Sequence, residues 1–308
     1  MELNLDLWSS RFSEWMRLRN WSEQTIKNYK CGLKLFFEYL QSQGVPSLGA
    51  VTRDLVEGFR THLFYRRVRG KPIAMSSQSG RLQCAKSFLR FLARENYLLA
   101  DPSTTVDLPK VPRPLPRVLS EQEVLKLLEA PDTSGLCGIR DRAVLEVFYA
   151  TAVRNQELAN LCLDDLDREH QALWVREGKG KKSRMVPLGE EALAWLDEYL
   201  ARVRPQLVTR EKESRIFLSS RGFPMSQGVL ITLVARHALK AGLKKVKPHT
   251  LRHSCATHML RRGAELRHLQ ALLGHSSPTI TEHYTQVEIS DLHKVLRRCH
   301  PRERTWGR

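Results

Sequence analysis

The chain lacks any useful pattern of cysteine. Its six cysteines, Cys31, Cys84, Cys137, Cys162, Cys255 and Cys299, are scattered, and no two form a Cys-x-x-Cys pair. That argues against a disulfide framework or a structural zinc site and for small apolar core residues in a reducing compartment. No apolar run approaches the ~20 residues needed to span a bilayer. The opening Met1-Glu-Leu-Asn-Leu-Asp lacks the positive start and apolar core of a secretory signal, so a cytoplasmic or nucleoid-associated protein is expected. No internal repeat and no low-complexity tract is present. Acidic residues are in deficit, 33 Asp and Glu against 50 Lys and Arg, for a formal charge of +17. Such a balance points to a polyanionic partner, nucleic acid first and an anionic membrane surface second. With 308 residues and 42% hydrophobic content, the chain is long enough for two domains with cores of their own.

Residues 5 to 98 read as helical. Trp8, Phe12, Trp15 and Met16 form one apolar stripe; Ile26, Tyr29, Leu33, Phe36, Phe37 and Leu40 form a stronger one, stopped by Gly44. A third helix begins near Thr52 with Leu55, Phe59 and Leu63 facing inward, and a fourth runs from about Ser77 to Asn96 through Leu82, Phe88, Leu89 and Leu92. Between them Tyr65 to Pro72 forms a basic loop, either a solvated charge run or a phosphate contact. From Ala100 to Arg117 prolines 102, 109, 112, 114 and 116 alternate with Lys110, Arg113 and Arg117, a composition that favours an extended connector. The domain division is therefore 1–99, a linker 100–118, and 119–308. The second domain opens on a capping box, Ser120-Glu-Gln-Glu123, and continues into a largely buried helix over 138–151 and a short helix over 155–163. Then the period changes. Leu173–Arg176 and Arg184–Leu188 are strand-like and flank the basic turn Glu177-Gly-Lys179-Gly-Lys-Lys182-Ser183, giving a small antiparallel hairpin. Further helices are expected at about 190–204, 227–241, 249–262, 265–273, 277–284 and 288–299.

Chemistry concentrates in residues 249 to 284: His249-Thr-Leu-Arg252-His253, Leu273-Gly274-His275, and Glu282-His283-Tyr284. An arginine offers a planar fork of donors suited to phosphate oxygens. Histidine exchanges protons near neutral pH, and a tyrosine hydroxyl can act as a covalent nucleophile. Each residue also has an ordinary reading. Arg154 can pair with Glu157 at i+3 on the surface, and Lys179 can be a solvated hairpin tip. His249 and His253 at i+4 could hold a metal only with a third ligand. His275 can cap a helix, and Tyr284 can be core or interface.

Taken in order, Arg154-x-x-Glu-Leu, the basic hairpin with Lys179, His249-x-x-Arg252-His, Leu-Gly-His275 and Tyr284 nine residues later resemble the tyrosine recombinases of the phage integrase and Xer type. Ser22-Glu-Gln-Thr25-Ile26-Lys-Asn-Tyr29 is similar to the family's opening helix, and Leu296-Arg-Arg-Cys-His300-Pro-Arg302 to its tail. The resemblance implies a mainly α fold: an N-terminal SAM-like helical core-binding domain, and a C-terminal mixed α+β catalytic domain of helices with a small antiparallel sheet. It further implies cleavage of double-stranded DNA without metal, nucleotide or other cofactor. In that scheme Arg154 and Arg252 bind the phosphate, His275 adds a hydrogen bond, His249 assists proton removal and Lys179 is the general acid. Tyr284 becomes a 3′-phosphotyrosine, and Glu157 orients the arginine-bearing turn. Exchange between duplexes implies a tetramer on DNA, of one chain or of two recombinases, with no membrane partner. The last helix, with Leu292, Val295 and Leu296, is a candidate to pack either on a neighbouring protomer or on its own domain. One departure stands out: the family commonly has glycine where this chain has Ala152. A positive φ there would cost alanine on the order of 1 kcal/mol. Two other readings remain, a type IB topoisomerase, disfavoured by the short N-terminal helical domain and the Xer-like tail, and a non-catalytic DNA-binding protein on the same scaffold.

Overall fold

A computed structural model describes residues 3–112, 117–176, 183–209, 212–274 and 289–303. The chain divides into two compact units, Met1–Pro114 and Leu115–Arg308.

The first unit is helical because four apolar stripes need one another for burial. Helices α1 (Leu5–Leu18), α2 (Glu23–Ser42), α3 (Arg53–Tyr65) and α4 (Met75–Arg94) enclose Phe12, Met16, Leu33, Phe36, Phe59 and Phe88, all removed from solvent. Asn4, Ser22 and Thr52 cap the first three helices by accepting from backbone N–H groups three residues on. Gly44 follows α2 at φ +66°. In α3 the inward residue of the first turn is Val56 rather than the expected Leu55, which is half-buried. The basic stretch before α4 is not a plain loop. Strands β1 (Arg67–Val68) and β2 (Lys71–Pro72) pair across Arg69 and Gly70, both at positive φ, which is the geometry of a tight two-residue hairpin.

The proline-rich segment also differs from an extended connector at its start. Residues 102–105 form a turn, and Ser103 and Val106 are buried. The cause is Lys86 of α4, itself buried, whose ammonium donates to the carbonyls of Ser103 (2.7 Å) and Val106. A buried ammonium needs such acceptors, and the acceptors need it.

The second unit is built on α6 (Leu136–Thr151), which follows α5 (Glu121–Glu129) and its Ser120–Glu123 capping box. Every residue of α6 from Ile139 to Thr151 is buried, as befits a helix with no polar face. Its charges are paired: Asp141 takes Arg140 and His237, and Glu146 takes Arg142 and Arg302. After α7 (Asn155–Asn160) comes an antiparallel sheet in the order β3-β4-β5: Leu166–Asp167, Ala172–Val175 and Arg184–Pro187. Strand β3 lay outside the expected hairpin, being too short to show a period. The expected helix over 190–204 is α8 (Glu190–Glu198), a π turn at Tyr199–Val203, and α9 (Arg204–Leu207). Helices α10 (Gln227–Lys240), α11 (Pro248–Arg261), α12 (Leu266–Leu273) and α13 (Ile289–Cys299) complete the unit. In α13, Leu292, Val295 and Leu296 are buried, and the helix packs on β5, α11 and α12 of its own unit. Of the two occupants left open for that face, the chain itself takes it. The expected helix at 277–284 and the hairpin tip at 177–182 lie outside the described residues. Among the described residues no helix is long and apolar enough to cross a membrane.

Lys86→Met should leave the carbonyls of Ser103 and Val106 buried without their donor. The expected loss is about 2–3 kcal/mol in urea unfolding of the first unit, with faster proteolysis at residues 101–110. Unchanged stability and cleavage would show that the lysine is not what docks this segment.

Candidate active site

The site begins where α6 stops. Ala152 sits in the left-handed region (φ 49°, ψ 27°), so the positive φ suspected from the sequence is there, and its N–H closes on the Phe148 carbonyl at 3.1 Å. The reversal carries the chain through buried Val153 to Arg154, the extended N-cap residue of α7. Glu157, one turn on, then does two things. Its Oε2 accepts the Arg154 backbone N–H at 2.8 Å, and its Oε1 accepts Arg154 Nη1 at 2.7 Å. The i+3 pairing read from the sequence is therefore real, but it is not a surface pair, since the Glu157 side chain is only 4% exposed.

A second arginine meets the same carboxylate. Arg184, at the start of β5, places Nη1 3.1 Å from Glu157 Oε1 and Nη2 2.9 Å from Oε2, a two-pronged clasp. Sequence reasoning assigned no role to Arg184. It is one of several cations around the hairpin, after Lys181 and Lys182, and nothing local separates it from them.

Arg252 arrives on α11, which starts at Pro248 in the favoured first-turn position. Its Nη1 donates to the Ala152 carbonyl and its Nη2 to the Leu273 carbonyl at 2.7 Å. Burial, and then repulsion from Arg154, lowers the Arg252 pKa to about 10, which leaves it protonated at neutral pH. His249 lies one turn earlier on α11. Its pKa is lowered from 6.5 by partial burial, then by Arg252, His253 and Arg154, so the ring is neutral at pH 7.

The C-terminal end of α12 closes the arrangement. Gly274 caps it at φ 60° and ψ 47°. Three consecutive carbonyls there each accept from a different arginine: Leu272 from Arg184 Nε at 3.0 Å, Leu273 from Arg252, and Gly274 from Arg154 Nη2 at 3.0 Å. Helix C-terminal carbonyls carry partial negative charge and want such donors. Of the six residues expected in the site, the fold thus gathers Arg154, His249 and Arg252. Lys179, His275 and Tyr284 lie outside the described residues. Among the described residues no three His, Cys, Asp or Glu side chains are grouped as a metal site would require.

Burial alone would raise the Glu157 carboxyl. The hydrogen bonds from Arg184 and from the Arg154 backbone, with the charge of Arg184, outweigh it and bring the pKa from 4.5 to about 2. The folded value is depressed, so this stabilisation is complete above pH 4.5 and fades as pH falls toward 2, a contribution on the order of 3 kcal/mol. Glu157→Gln should therefore be less stable than wild type by a margin that is widest above pH 5 and shrinks as pH falls toward 2. A margin independent of pH, in unfolding titrations across that range, would contradict the assignment.

Comparison with known proteins places this geometry in a family. Residues 117–290 match the phage integrase family, and residues 11–96 match the phage integrase N-terminal SAM-like domain. Tyrosine recombinase XerC 2 of Ralstonia nicotianae is 41% identical over 94% of this chain and 84% of its own length. Tyrosine recombinase XerD of Staphylococcus aureus is 37% identical over 91% of this chain and 94% of its own. Among solved structures, a lambda integrase dimer bound to a COC′ core site aligns with TM-score 0.66 at 20% identity, covering 92% of this chain and 98% of that one. XerH site-specific recombinase bound to difH substrate aligns with TM-score 0.65 at 23% identity, covering 91% and 80%. These two establish the shared fold, mainly helical with small antiparallel sheets. The family assignment rests on the sequence matches, and by them the chain belongs to the phage integrase family and is a site-specific tyrosine recombinase.

Proposed function

We propose that the protein cuts and rejoins double-stranded DNA at specific sites through a 3′-phosphotyrosyl link to Tyr284. The observation that carries this reading is the charge of the described site. Among the described residues Arg154 and Arg184 pair with the Glu157 carboxylate, and Arg252 stands beside them on the carbonyls of Ala152 and Leu273, so three guanidinium groups converge where a phosphate could be met. A phosphodiester under attack gathers negative charge on its non-bridging oxygens, and fixed donors aimed there are worth several kcal/mol.

In this scheme Arg154 and Arg252 hold the non-bridging oxygens, and His275 adds a hydrogen bond. His249, neutral at pH 7, takes the proton of Tyr284, whose ordinary pKa near 10 would otherwise keep it protonated. The Tyr284 oxygen bonds to phosphorus as the bond to the 5′ oxygen breaks, and Lys179 protonates that leaving oxygen. The phosphotyrosyl bond keeps the energy of the broken linkage, so a 5′-hydroxyl of a second strand can attack it and release the tyrosine. Residues 1–99 act as the core-binding domain, 100–118 as a basic linker, and 119–308 as the catalytic domain. Exchange between duplexes calls for four protomers on DNA, all of this chain or shared with a second recombinase, acting in the cytoplasm. A lambda integrase tetramer bound to a Holliday junction is among the solved relatives of this fold, which supports that stoichiometry.

A duplex nicked near its cleavage site, which traps the cut strand, tests the scheme. Wild type should yield an SDS-resistant protein–DNA adduct, and Tyr284→Phe should yield none while its DNA affinity stays within about twofold, since one phenol among many phosphate contacts adds little binding. Persistence of the adduct in the variant would remove Tyr284 from the chemistry. Joining of two distinct duplexes, rather than relaxation of one, separates a recombinase from a topoisomerase.

A further inference from the structure

We infer that Arg184 is a positioning residue for the phosphate-binding arginines, bracing the turn that carries Arg154 against the end of α12. The inference rests on the reading above and adds a residue to it. Arg184 reaches both structures at once. Its two terminal nitrogens clasp Glu157 at 3.1 and 2.9 Å, while its Nε donates to the Leu272 carbonyl at 3.0 Å. Glu157 in turn holds both the backbone and the side chain of Arg154. The result is a chain of contacts from β5 through Glu157 to Arg154, and from β5 directly to the residue two places before Gly274.

The fit on the other side of Arg184 is close. A Cβ added at Gly274 would lie 2.9 Å from Arg184 Nη1 and 3.0 Å from its Cζ. Glycine there serves two ends, the left-handed cap and the flat approach of the guanidinium. Arg184 is only 11% exposed, against 24% for Arg154. Of the two arginines on Glu157, Arg184 is thus the one enclosed between carboxylate and helix end, and Arg154 is the more open. A lysine cannot reproduce this, because the clasp and the Leu272 contact use three nitrogens of one planar fork.

Two measurements test the brace. In the DNA-free protein, Arg184→Gln should speed amide hydrogen exchange, by roughly tenfold, both in Asn155–Asn160 and in Leu266–Leu273, while α10 stays as in wild type. Unchanged exchange in either segment, or an equal rise throughout the second unit, would overturn the inference. On the trapping duplex, Arg184→Gln should cut strands about a hundredfold more slowly at saturating DNA, with the half-saturating concentration within about twofold of wild type, as expected when reacting groups are misplaced rather than binding lost. Gly274→Ala, which pushes on Arg184 from the opposite side, should do the same, and Arg184→Lys should fail to restore the rate. Full activity of Arg184→Lys, or a loss confined to the half-saturating concentration, would refute a geometric role. If wild type forms no adduct on any duplex, the recombinase reading falls, and the exchange measurement alone decides the brace.

Discussion

The turn that carries Arg154 hangs on one carboxylate. Glu157 is buried, ionised and shared between Arg154 of the α7 N-cap and Arg184 of β5, and so ties the two elements together. A lone carboxylate in that position would be driven toward its neutral form by desolvation. Two guanidinium groups and a backbone N–H reverse that preference. Ionisation of Glu157 is therefore inseparable from the closure of the α6–α7 turn on β5.

The second constraint is the pairing of cations with a helix end. Three arginines from three elements, the α7 N-cap, β5 and α11, converge on three successive carbonyls at the end of α12. Guanidinium groups repel one another at such range, which is why Arg154 depresses the pKa of Arg252. The helix end and Glu157 hold them together all the same. An assembly that keeps three guanidinium groups this close is disposed to take up an anion. The same surroundings act on His249, whose pKa is lowered first by partial burial and then by the cations Arg252 and Arg154 beside it.

Much of this was legible in the sequence, for local reasons. The stripes of α1, α2 and α4 forecast the first unit because amphipathic period is set by burial on one face. The Ser120–Glu123 capping box was written in four residues. Ala152 betrayed its left-handed turn only through a resemblance, since no periodicity signals a single positive φ. What the sequence hid was long-range. Arg184 is distinguished from Lys181 and Lys182 only by the fold that sets it against Glu157, 27 positions away. Nothing local marks Lys86 of α4 as a buried cation; that comes from the turn at 102–105, which lies against it. The face of α13 was apolar in either of two assemblies, and period alone does not say which neighbour covers it.

On the proposed mechanism Arg154 and Arg252 receive the phosphate that is cut. A structure of the Tyr284→Phe protein on its recombination site tests this most directly. Non-bridging oxygens of one phosphate should lie within about 3 Å of guanidinium nitrogens of both Arg154 and Arg252. A bound duplex whose nearest phosphate stays many ångströms from both, with the two arginines turned only to the carbonyls of α12, would contradict the account.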